Sequence, residues 1–501
     1  MPDSKEQAVS WELEENIEYI KMLYQDCVDI KMQKMELGKE KKFQCFLVYI
    51  EVVLENTLLR QSAFGRLIDK LDYCDFGNEE SINAFFNNNE GGVSDYTLFD
   101  DIREAAQIIL TGNALLFVDG YNKAIKIADK GYPNMPVKET DEEKVVRGSN
   151  EGFTDSVKIN TALIRRHLRS ARLKVKEVKK GVRSNTNIDI VYLKDVAKPE
   201  LISKIEERLN EYTIDGIMDS GVIEQLTERK WYSPFPEFMT TRKPDRASMA
   251  LLEGRAVLLC DNSPVALVMP ADVNSFLKTT DDYYNRFEAA TFARIIRYLA
   301  SFFAMTLPGL YLAVTNFHTQ ILPTSLLLAF WEARIGVPFP EIIEVLLMEL
   351  SFELLREAGI RLPGALGNTI GIVGGLIIGQ AAVDANLVSP IVVIIVAFTA
   401  LCSFAIPNEE FAFAFRILKF YIIFLSAWLG YFGLLIGIMT VLIHLTKLKS
   451  FGTPYLMPFV APELNDYQDE MDSIIRFPIR TLQKRPVISL IDERIKLRKI
   501  K

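Results

Sequence analysis

The chain has 501 residues, with 57 Lys and Arg against 65 Asp and Glu, and its net charge of −8 argues against a strongly basic nucleic-acid binder. A 49% hydrophobic share and a mean hydropathy of +0.12 are high for a chain that is 24% charged, unless the two kinds of residue are segregated. They are: positions 298–446 hold 14 charged residues in 149 positions while the other 352 hold 108, which describes a soluble part joined to a membrane part.

The first 20 residues contain no apolar core of signal-peptide length, so export ahead of the first membrane span is not expected. Residues 1 to about 40 read as a charged, helical lead-in, and FQCFLVYI (43–50) as a buried strand followed by a helix. ALLFVDGYNKAIKIA predicts a strand at 115–119, an Asp-Gly turn and a second strand, so that a small α/β lobe spans 1–135. The segment 130–144, with two prolines and a charge cluster, reads as a linker.

A second α/β lobe is expected over 145–285. Its elements are a basic helix at 161–170, the alternating LKVKEV, the apolar IDIVYL, a helix in PELISKIEERLNEY, and two strands, RAVLLCD and PVALVMP, joined by a tight turn at Asn262 and Ser263. Ten bases lie between Lys158 and Arg183 without stacking aromatics among them. A solvated face or a partner contact accounts for them better than nucleic acid does.

Four apolar stretches, 298–317, 366–383, 387–406 and 420–445, are long enough to cross a bilayer, within a membrane domain expected over 290–446. Between the first two, Pro323, Pro338 and Pro340 interrupt a run carrying Glu332, Arg334, Glu341, Glu344, Glu349, Glu353, Arg356 and Glu357. That run predicts broken or re-entrant helices packed against protein or water. Arg286, Arg294 and Arg297 before the first span, with Lys447 and Lys449 after the last, put both termini and a basic tail (447–501) in the cytoplasm. Arg416 and Lys419 fit this topology poorly, because it places them near the outer face.

Two patterns in the membrane part carry functional information. Gly367, Gly371, Gly375 and Gly379 recur every four residues along one helical stripe, which suits either close helix packing or a helix lining a narrow pore. Glu349, Glu353 and Glu357 share one helical face. They form an interfacial face turned to water, a cation-attracting vestibule, or ion pairs that hold subunits together. With four spans too few to enclose a water path and also bury the charged interval, a homo-oligomer is expected.

The cysteines Cys27, Cys45, Cys74, Cys260 and Cys402 form no CxxC pair, and His167, His318 and His444 lie far apart, so no disulfide framework, metal site or cofactor is expected. The chain lacks GxxxxGK[ST], HExxH, GxSxG and GxGxxG, which argues against an enzyme. A secondary transporter would show two related membrane halves, and no such repeat is evident.

Several phrases are similar to one known family. EKVVRGSNEGFTDSVKINTALIRRHLR (143–169), SPFPEFMTTRKPDRAS (233–248), LLMELSFELLREAGIRLPGALGNTIGIVGGLIIGQAAV (346–383) and FGTPYLMPF (451–459) resemble the A subunit of the GerA-type spore germinant receptors. The resemblance implies a multi-pass protein of the inner spore membrane with a two-lobed N-terminal domain on the core side. Its implied partners are a transporter-like B subunit and a lipoprotein C subunit. The implied activity is an oligomeric, nutrient-gated channel releasing monovalent cations, with the Gly367–Gly379 helix at the pore and Arg147, Gly148, Pro244, Asp245 and Arg246 at a cytoplasmic coupling surface. A relative encoded in the SpoVA operon, acting as a second ion channel, and a non-conducting receptor scaffold remain alternative readings.

Overall fold

The computed structural model describes residues 7–37, 42–51, 96–127, 147–361, 378–460, 469–492 and 494–497. The chain divides into two compact units, one of α/β lobes (1–229, 240–270, 483–501) and one of helices (230–239, 271–482).

In the first lobe, helix α1 (Leu13–Leu23) precedes β1 (Ile30–Leu37), β2 (Phe43–Ile50), β3 (Tyr96–Phe99), α2 (Ile102–Ile109), β4 (Ala114–Val118) and β5 (Ala124–Ile127). The lead-in therefore contains a strand as well as a helix. β1, with Lys31, Gln33, Lys34 and Glu36 among its eight residues, is too polar to resemble a buried run, and becomes a strand by pairing with all eight residues of β2. α2 buries Ile102, Ala105, Ala106 and Ile109, one face at helical spacing, and α1 buries Leu13, Ile17 and Ile20 in the same core. The linker 130–144 and the helix expected after residue 50 lie outside the described residues.

The second lobe runs α3 (Val157–His167), β6 (Leu173–Lys180), β7 (Thr186–Leu193), α4 (Pro199–Asn210), α5 (Ser220–Thr227), β8 (Met239–Thr241), α6 (Pro244–Leu252), β9 (Ala256–Cys260) and β10 (Ala266–Met269). Its sheet has the order β6-β7-β9-β10-β8, the same first-second-fourth-fifth-third order as β1-β2-β4-β5-β3. The lobes are thus two copies of one topology. They are joined by main chain: Val175 N donates to Asp26 O (3.0 Å) and Val28 N to Val175 O (3.2 Å), so residues 26–28 extend the edge at β6.

Several of the ten bases serve this junction, which corrects their reading as a solvated face. Arg165 is fully buried and grips both oxygens of Asp29 at 2.7 and 2.9 Å. Lys158 reaches Glu51 across the lobes at 2.7 Å, and Lys174 is buried with its ammonium on Leu23 O at 3.1 Å.

Beneath α3, Asp189 of β7 is buried, and burial pushes its carboxyl up to about 7, the Thr161 hydrogen bond opposing only in part. Hydrogen bonding points the same way. Thr161 Oγ lies 2.9 Å from both Val157 O and Asp189 Oδ2 but has one proton; a protonated Asp189 donates to Thr161, which then donates to Val157. Because the folded value exceeds the unfolded one, Asp189 lowers stability progressively as pH rises from about 4 to about 7, with the full penalty above that. We expect Asp189→Asn to flatten the pH dependence across this window and to raise the melting temperature at pH 8 more than at pH 5. Thermal unfolding of the two proteins at both pH values checks this.

The helical unit consists of α7 (Val273–Leu277), α8 (Asp281–Tyr284), α9 (Phe287–Phe317), α10 (Thr324–Glu332), α11 (Glu341–Arg361), a helical segment at 378–384, α12 (Pro390–Phe404), α13 (Glu409–Leu429) and α14 (Tyr431–Lys447), followed by a short ribbon of β11 (Lys449–Ser450) and β12 (Thr453–Pro454). α9 and α13 are long and apolar enough to cross a membrane; α12 and α14 are apolar but shorter. The apolar run 420–445 is not one span. It breaks at Gly430, whose φ of 59° and ψ of −135° belong to a region that only glycine adopts readily, and the chain folds into the α13–α14 hairpin. Breaks also fall at the prolines: α10 starts after Pro323 and α11 after Pro340. Tyr311, Leu312, Val345, Met348, Val392 and Ile423 form the core shared by α9, α11, α12 and α13.

Candidate functional site

The charged interval folds into two clusters inside the helical unit. In the first, Arg334 pairs with Glu341 and, at 3.1 Å, with Glu344, while Thr315 of α9 donates to Glu341 at 2.6 Å. Glu344 is fully buried and accepts Ser389 N at 2.8 Å, beside the Ser389 cap of α12. One arginine and two acids thereby tie α9, α11 and the start of α12 together.

The second cluster is a ladder between α11 and α13. Lys419 Nζ lies 2.5 Å from Glu349 and 3.3 Å from Glu353; Arg416 reaches Glu353 at 3.4 Å. Farther along, Arg356 contacts Glu409 and Ser403, both at 3.3 Å, and lies over the Phe404 ring. These six charges sum to zero, and the ladder is deepest at Glu349 (1% exposed) and Lys419 (4%). Burial of that depth among apolar helices is tolerable only for paired ions. Glu349 Oε1 and Arg416 Nε remain without hydrogen-bond partners, so the ladder is satisfied incompletely.

Of the three readings of the carboxylate face, this geometry favours ion pairing for Glu349 and Glu353, within one chain rather than between subunits. Glu357 is exposed at the far end. Pairing also explains the poor fit of Arg416 and Lys419 to the topology: they stand inside α13 opposite their acids and are not end-of-span markers. Residues 416 and 419, two cations at i and i+3 in an apolar helix, were the signal of that partnership.

Gly367, Gly371 and Gly375 lie outside the described residues. Gly379 lies within them, and a methyl group there would meet only Val393 Cγ1, at 3.2 Å. In the second lobe, Arg147 and Gly148 are exposed, Arg246 is half-buried, and Pro244 and Asp245 are buried at the first turn of α6, where Asp245 lies 3.6 Å from Lys243. The two phrases meet through the Phe153 N to Arg242 O hydrogen bond of 2.7 Å, while the Glu151–Arg166 ion pair ties the first of them to α3. Pro244 and Asp245 therefore cannot offer side chains to a partner in this conformation.

Arg294 and Arg297, read above as topology markers, are held internally. Arg294 is fully buried, 2.9 Å from Asp282 and 2.8 Å from Asp472, and Arg297 binds Asp282 at 2.9 Å. Burial opposes ionisation of Asp472, but Lys278 and Arg294 outweigh it and hold this carboxyl well below the usual range. No group of three or more metal-ligating side chains occurs among the described residues.

Comparison with known proteins places the chain in a family. The family model described as Bacillus/Clostridium GerA spore germination protein matches residues 18–488. In Bacillus subtilis (strain 168), spore germination protein A1 is 40% identical over 384 residues (76% of this chain, 79% of that one), and spore germination protein KA is 36% identical over 480 (95% and 87%). From the same organism, the uncharacterized membrane protein YfkQ is 36% identical over 494 residues (97% and 93%). Among solved structures, the N-terminal domain of the A subunit of the Bacillus megaterium spore germinant receptor GerK3 is 24% identical, with a TM-score of 0.42, over 53% of this chain and 98% of that one. The chain belongs to the GerA family of spore germination proteins, the A-subunit family of germinant receptors.

Proposed function

We propose that this protein is the A subunit of a nutrient germinant receptor in the inner spore membrane, with both termini cytoplasmic, and that several copies form a channel releasing monovalent cations. Its partners in this reading are a transporter-like B subunit and a lipoprotein C subunit. The observation that carries the reading is the charge ladder, since α11 and α13 hold a row of ions among apolar helices where a merely structural span would use Leu and Ile. Glu349 and Glu353 are paired with Lys419 and Arg416, and Glu357, exposed at the end of the same helix, is the acid that raises the local cation concentration at the mouth of the path.

The test is potassium efflux from liposomes containing the purified chain. We expect cation-selective efflux that falls on Glu357→Gln while crosslinked oligomers persist. Assembled protein without efflux would make the chain a docking scaffold, and crosslinking that yields only monomers would exclude a shared path.

A further inference from the structure

Along α14 the outward side chains Phe432, Leu435, Ile436, Met439, Leu442 and Ile443 form a continuous exposed apolar stripe that ends at Thr446 and Lys447. Where it ends, residues 230–235 of the same unit fold against the last turn of the helix. Lys230 Nζ donates to Lys447 O at 2.9 Å, and Ser233 Oγ bonds His444 Nε2 at 2.8 Å. Phe235 stacks on the His444 ring and is buried against Phe411 and Phe415. Anchored this way, the segment turns its two largest side chains outward: Trp231 is 85% exposed and Tyr232 62%, in edge contact with one another.

Two adjacent exposed aromatics at the polar end of an apolar stripe, with exposed Lys447 and Lys449 beside them, have the composition of a membrane headgroup layer. There an indole or phenol places its ring against acyl chains and its polar atom in water, and ammonium groups meet lipid phosphate. We infer that Trp231 and Tyr232 insert into the headgroup layer at the end of α14, with Lys447 and Lys449 facing lipid phosphate, so that a segment far from α14 in sequence becomes an interfacial anchor. This rests on α13 and α14 entering a membrane, as the proposed function requires.

The test uses the full chain in vesicles of phosphatidylcholine and phosphatidylglycerol, in two single-tryptophan forms. One keeps Trp231; the other keeps Trp428, which is 82% exposed on α13. All other tryptophans are replaced by Phe. Lipids brominated near the headgroup should quench Trp231 more than lipids brominated deep in the chains, and its emission should lie to the blue of an aqueous indole. If Trp428 is quenched while Trp231 remains open to aqueous iodide, the anchor is refuted and the membrane reading survives. Protection of Trp231 from both iodide and bromolipid would mean that protein covers it, which also refutes the anchor. Absence of bromolipid quenching at both tryptophans would overturn the membrane reading and the anchor with it.

Discussion

Lys419→Met is expected to destabilise the protein by about 3–5 kcal/mol, the range for removing one partner of a buried ion pair. The reason is asymmetry within the ladder. Glu349 is 1% exposed and its ion-pair partner is Lys419, at 2.5 Å, so the substitution leaves a carboxylate enclosed by apolar helices. The opposite change, Glu349→Gln, should be milder, because Lys419 keeps Glu353 at 3.3 Å and the amide still accepts a hydrogen bond. Combining Lys419→Met with Glu349→Leu removes both charges and should recover most of the loss, since an apolar pair of similar volume often replaces a buried ion pair without penalty. Thermal unfolding of the purified full chain carrying Lys419→Met, Glu349→Leu or both completes a double-mutant cycle and measures the coupling. Equal losses from the two single substitutions, with no recovery in the double, would contradict the pairing.

The second large effect is expected at Gly433 in the α13–α14 hairpin. A Cβ built on Gly433 would lie 2.0 Å from Leu425 O and 2.5 Å from Leu425 C, both backbone atoms of the facing helix. Backbone cannot rotate away as a side chain does, so Gly433→Ala must push α14 off α13, with a loss of about 3 kcal/mol or more, at the upper end of overpacking. Gly379→Ala should be far gentler, since the methyl group would meet a single side-chain atom of Val393 at 3.2 Å. Comparing folded yield in membranes and melting temperature for the two variants checks this. Similar losses at both sites would mean that the hairpin tolerates separation.

Much of this organisation was legible in the residues. Charge segregation marked the helical unit, apolar runs bounded by turn residues located β2, β4, β7, β9 and β10, and prolines placed the starts of α10 and α11. These features depend on neighbours a few residues apart, which hydrophobic periodicity and fixed backbone dihedrals report directly. The resemblance to germinant receptor A subunits was equally legible, carried by phrases spread from 143 to 459.

What depends on distant partners required the tertiary structure. β1 is a strand because β2 lies beside it, and the common topology of the two lobes is a property of strand order, which only the pairing of strands reveals. Residues 230–239 join the helices because Phe235 packs on Phe411, Phe415 and His444, although their neighbours in sequence belong to the α/β unit. The same distinction governs the acids: helical spacing put Glu349 and Glu353 on one face, but whether that face met water, a pore or cations depended on α13, some seventy residues away. Sequence by itself determines which residues share a face, because local backbone geometry sets the period; only the fold decides what that face meets, because burial and Coulomb pairing act between segments the chain brings together late.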